Sequence, residues 1–144
     1  MKDHHNIVRT ARSIDPVAVG TTGTGQAGKI IDTAGYGGVE FLVGVGTITA
    51  TGATIVATMK EGDVTGTMTT VAAADMLGTL ALAGVGQQAT ARTSGVGKNL
   101  TTRIGYKGNK RYVQLGLYST ATAGPIVSSV ALLHSPVVAP TANP

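Results

Sequence analysis

The stretch Arg111-Tyr112-Val113-Gln114-Leu115-Gly116-Leu117-Tyr118-Ser119 alternates apolar and other side chains with a period of two. That period is the pleat of a β-strand, in which successive side chains point to opposite faces. Val113, Leu115 and Leu117 should face a core, and Tyr112, Gln114 and Tyr118 should face outward or toward a partner. Leu100–Tyr106 reads as the other arm of a hairpin. Lys107-Gly108-Asn109-Lys110 would be its turn, since Gly and Asn tolerate positive φ.

The same alternation recurs upstream. In Gly38–Ala50, Val39, Phe41, Val43 and Val45 share one face, with Glu40 and Leu42 on the other. Ile30–Asp32, Thr54–Lys60, Thr65–Val71, Thr79–Ala83, Ala89–Thr93 and Ile126–His134 are further strand candidates. Glu61-Gly62-Asp63 reads as a hairpin turn, and Gly124-Pro125 as another turn. Only Val71–Leu77 looks helical, and Gly78 limits it to about a single turn. The spacing predicts one all-β domain over residues 1–144, a β-sandwich of jelly-roll type. Residues 1–16 and 135–144 read as extended arms. The first holds Ile7–Arg12 and leads into Pro16–Val19; the second holds Pro136, Pro140 and Pro144. One or the other of these arms is expected to lie across a neighbouring subunit, and both to be removable by protease in the free protein.

Composition narrows the function. The 144 residues include 21 Gly, no Cys and no Trp, and only 12% are charged, about half the usual share. Disulfide scaffolds and Cys-ligated metal sites are excluded. A surface so poor in Lys, Arg, Asp and Glu tolerates being covered by another protein, which points to life inside an assembly. The polar opening Met1–Pro16 predicts no secretory leader, and no window reaches the ~20 apolar residues of a membrane helix.

Motif matches are weak. Gly23, Gly28 and Lys29 fit the spacing of a phosphate-binding loop, and Gly23, Gly25 and Gly28 fit a dinucleotide fingerprint. Ile30 stands where a magnesium-reaching Ser or Thr is needed, and Gly35, Gly37 and Gly38 prevent a following helix. A flexible surface loop is the expectation for residues 20–29. Asp3-His4-His5 and His134 place no convergent metal ligands by spacing. No nucleophile elbow accompanies Ser94, Ser119, Ser128 or Ser129, so no enzyme, cofactor or metal is expected.

Charge is unevenly distributed. All seven acids lie at or before Asp75, with five basic residues among them, whereas residues 76–144 hold six basic residues and no acid. Arg103, Lys107, Lys110 and Arg111 are therefore the candidate partner-binding residues. A solvated turn whose lysines discourage edge pairing accounts equally well for them. An acidic protein surface is the favoured partner and nucleic acid the less favoured one.

The chain resembles the cement or decoration proteins of tailed-phage capsids. The resemblance rests on the polar N-terminal segment, the Gly-punctuated strand Gly38–Thr47, the run Lys110-Arg111-Tyr112-Val113-Gln114-Leu115 and the apolar strand Ile126–Leu133. It implies a jelly-roll sandwich that forms homodimers on the outside of an icosahedral shell and bridges major capsid protein subunits. It also implies residence in the virion after synthesis in the host cytoplasm. The rival expectations are a head–tail joining or tail/receptor-binding component, and a nucleic-acid-binding β-barrel.

Overall fold

A computed structural model describes residues 4–19, 25–46, 55–78, 100–119 and 126–138. Ten strands are formed among the described residues: β1 (Val8–Ala18), β2 (Gly25–Ala27), β3 (Ile31–Asp32), β4 (Tyr36–Val45), β5 (Ile55–Val64), β6 (Thr67–Thr70), β7 (Met76–Leu77), β8 (Leu100–Tyr106), β9 (Tyr112–Ser119) and β10 (Ile126–Pro136). The predicted helical stretch is one 3₁₀ turn, Ala73–Asp75.

The strands make two antiparallel sheets. One has the order β1-β10-β4-β8-β7, and the other β2-β9-β5-β6, with β3 also pairing β9. If β2 and β3 are counted as one interrupted strand and β7 as an added edge, eight strands remain. Numbered afresh along the chain, they run 1-8-3-6 in one sheet and 2-7-4-5 in the other. That is the double Greek key of a jelly roll.

The core lies between the sheets. Val39, Phe41, Val43 and Val45 of β4 are buried, as the alternation predicted. Val113, Leu115 and Leu117 of β9 are fully buried and contribute from the opposite sheet, together with Ala57 and Met59 of β5. β10 adds Val127, Ala131 and Leu133, and β8 adds Ile104 and Tyr106. Two serine hydroxyls, Ser13 on β1 and Ser129 on β10, are buried without a hydrogen-bond partner among the described residues.

Four local expectations are corrected. β8 and β9 do not form a hairpin: they belong to different sheets, so residues 107–111 carry the chain across the sandwich. Glu61-Gly62-Asp63 is not a turn but part of β5. The chain reverses at Thr65-Gly66 instead. Gly62 is needed there because a Cβ would come within 2.7 Å of the Thr67 carbonyl oxygen. Third, residues 8–16 are not an arm, since β1 pairs with β10 from Val8 to Ala18. Last, at the C-terminus Ser135 and Pro136 still belong to β10, and the Val137 N–H donates to the Gly35 carbonyl. The candidates Thr79–Ala83 and Ala89–Thr93, the Gly124-Pro125 turn and residues 139–144 lie outside the described residues.

Candidate interaction surface

The four predicted basic residues sit on β8 and on the crossing that follows it. Arg103 faces outward from β8, opposite Leu42 of β4. Its guanidinium is 3.9 Å from Glu40, whose carboxyl is pushed up by burial and only partly restored by Arg103. Lys110 Nζ contacts Asp63 at 2.5 Å. Arg111 grips Asp32 through two nitrogens, at 3.1 and 2.8 Å, and its guanidinium lies 5.1 Å from the Tyr112 ring centroid. These cations hold the Asp63 and Asp32 carboxyls below the usual carboxylate range. Lys107 is exposed and makes no ion pair among the described residues.

Three of the four described cations of residues 76–144 are thus paired by folding. Acids of the first half are carried onto the cations of the second by the jelly-roll return of the chain. No local pattern signals this, because the partners lie 47 to 79 positions apart.

The crossing is held by its own hydrogen bonds. The Tyr106 hydroxyl donates to Glu61 and accepts from the Lys110 N–H at 2.9 Å. The Thr33 hydroxyl and N–H both donate to the Arg111 carbonyl, at 2.9 and 2.8 Å. Lys107 N–H donates to the Asp75 carbonyl. Gly108 packs against the Tyr106 ring, and a Cβ there would overlap it.

The outer face of the β1-β10-β4-β8-β7 sheet carries a band that the sequence reading missed. Val130 and Leu132 of β10 and Leu42 of β4 point away from the core, and Val130 is 39% and Ile126 59% exposed. The aspartate and glutamate near this band are engaged: Arg12 pairs with Asp15 and Arg103 with Glu40. The signal was present in the even-numbered residues of β10, where Ile126, Val130 and Leu132 alternate with the buried odd-numbered set.

The glycine segment does not build a phosphate site where it is described. Residues 25–27 form β2, the Gly28 N–H donates to the Leu115 carbonyl, and the Lys29 N–H donates to Ser13. The amides of Gly28 and Lys29 are thus occupied, and β3 follows instead of a helix. This corrects the flexible-loop expectation for residues 25–27; residues 28 and 29 are outside the strands, and residues 20–24 lie outside the described residues. Among the described residues no group of three His, Asp or Glu side chains could hold a metal ion. No helix among them is long and apolar enough to cross a membrane.

No protein family profile matches the chain. No curated protein matches it either. Among solved structures it is similar to the N-terminal carbohydrate-binding and catalytic modules of xylanase 10B from Clostridium thermocellum, solved with xylohexaose. The identity is 11% and the TM-score 0.41, over 96% of this chain and 28% of that one. A likeness at that level carries no inference about ligand or activity.

Proposed function

We propose that this chain is a structural virion protein that binds the outside of an icosahedral phage capsid and stabilises it by bridging major capsid protein subunits. It acts as a homodimer, without catalysis, cofactor or metal, and belongs to the capsid surface of the virion. The reading is supported by the resemblance to cement and decoration proteins described above. The observation that carries it is the outer sheet face bearing Leu42, Ile126, Val130 and Leu132, whose neighbouring charges are already paired within the chain.

Such a face supports attachment through contact area, since exposed apolar side chains gain most by being covered. Each contact is weak, and repetition around a shell multiplies it. Of the four predicted cations, Lys107 is the one without an ion pair among the described residues and so free to meet an acidic capsid surface. Arg103, Lys110 and Arg111 can do so only by sharing their carboxylates or exchanging them.

The test is electron microscopy of shells lacking the protein, before and after adding it. Density bridging capsid subunits on the outer surface is expected. Density confined to a portal ring or tail would replace this reading with a joining or tail component. Salt-dependent DNA binding without shell binding would replace it with a nucleic-acid barrel.

A further inference from the structure

We propose that the open edge of β1 between Arg9 and Arg12 is a docking groove for an extended acidic polypeptide segment. Carboxylates of that segment meet Arg9 and Lys29 on the groove side, beside Ala11 and Ile31, while its alternate apolar side chains lie on the outer side, flanked by Arg12. The proposal stands independently of the capsid reading, because it concerns the chemistry of one sheet edge.

β1 ends its sheet, with β10 as its one strand neighbour among the described residues. From Ser13 onward the free edge is closed. The Lys29 N–H donates to the Ser13 carbonyl at 2.7 Å, and the Gln26 amide reaches the Ala18 carbonyl. Register shifts between Arg12 and Ile14 and between Ile14 and Val17 bend that half of the strand. The half from Arg9 to Arg12 keeps a regular register and lies beside a groove of about 210 Å³. An edge of that kind recognises an extended chain through main-chain hydrogen bonds, with pockets reading alternate side chains.

The side chains select what can add there. Arg9 is paired across the sheet with Leu133, whose side chain is buried, so Arg9 lies on the groove side of β1. It makes no ion pair among the described residues. The facing carboxylate, Asp32, is gripped by Arg111. Arg12 and Lys29 share a single acid, Asp15, at 3.2 and 3.5 Å. The rim therefore has more positive than available negative charge, above a floor where Ile31 and Leu133 are 5% and 2% exposed. A second copy of β1 would bring arginine against arginine, so the edge rejects its own kind while accepting an acidic strand.

The test uses the full chain and a fluorescent octapeptide of alternating Asp and Val. Binding should be seen at low salt and weaken as salt rises. The double variant Arg9→Glu/Lys29→Glu should bind about tenfold more weakly. Lys60→Glu, on β5 of the other sheet, should bind unchanged. Amide shifts of the wild-type protein should cluster at residues 9–12 and 29–32, which keeps the test decisive should the double variant fail to fold. Absence of wild-type binding, unchanged affinity in a folded double variant, or shifts centred on residues 107–111 would overturn the proposal. So would equally tight binding of an alternating Lys/Val peptide or of an oligothymidylate.

Discussion

The Tyr106 hydroxyl donates a 2.5 Å hydrogen bond to Glu61 Oε2, joining β8 of one sheet to β5 of the other. The ring is 1% exposed and the same oxygen accepts from the Lys110 N–H, so one hydroxyl ties both sheets to the crossing between β8 and β9. Burial and the Glu61 carboxylate push the phenol well above its usual range, so it stays protonated and able to donate.

Tyr106→Phe keeps the ring and leaves Glu61 and the Lys110 N–H without this partner. A hydrogen bond to a charged group contributes roughly 1.5–3 kcal/mol, and the variant should lose about that in denaturant unfolding. An unchanged midpoint would show that water satisfies both groups.

Lys107→Glu and Arg111→Glu separate two kinds of surface cation. Lys107 has no ion-pair partner among the described residues, so its reversal should change stability by less than about 0.5 kcal/mol. Reversal of Arg111 sets a carboxylate against Asp32 and removes the contact with Tyr112, so its melting temperature should fall. Equal melting temperatures in the two variants would contradict the observed pairing.

Acid should destabilise the fold in a definite window. The Arg12, Arg111 and Lys110 side chains hold Asp15, Asp32 and Asp63 below their usual values. Their contribution is present above the unfolded carboxylate value of about 3.9 and is lost as pH falls through the lower folded values. Glu40 works in the opposite sense, because its raised value makes protonation favourable to the folded state. Thermal unfolding should show little change from pH 7 to about 5 and a fall below about 4. Glu40→Gln should make that fall larger.

Ser129→Ala should leave stability unchanged or raise it. The hydroxyl is buried and has no partner among the described residues, so removing it takes away a desolvated polar group at little cost in packing. A loss above about 1 kcal/mol would show that the hydroxyl has a partner, such as a buried water.

Val130→Glu tests the contact face directly. Val130 is 39% exposed and lies opposite Arg12 on β1, so the substitution should be tolerated by the fold. Attachment to shells lacking the protein should drop severalfold. Undiminished attachment would move the contact elsewhere on the molecule.

Much of the core was readable from alternation alone. The buried sets of β4, β9 and β10 follow the period of two, which depends only on neighbouring residues. β1 escaped because its register shifts break the period, and its Arg, Asp and Pro residues are those of a guarded edge. The crossing at residues 107–111 escaped for a different reason. Lys107-Gly108-Asn109-Lys110 has the same turn chemistry whether the chain returns beside itself or passes to the other sheet. The ion pairs of Arg103, Lys110 and Arg111 were out of reach because they depend on that topology.

Val8 stands opposite His134 in the β1–β10 ladder, and the strands are antiparallel. The start of β1 and the finish of β10 therefore leave the body from the same end. Tension applied between those two points would peel the ladder apart one rung at a time, at low force. Tension between the finish of β10 and the far end of β4 would meet a different geometry. Val127 pairs with Val45 and Pro136 with Tyr36, so the rungs between would be loaded together in shear. The same strand is thus a zipper in one pulling direction and a clamp in the other.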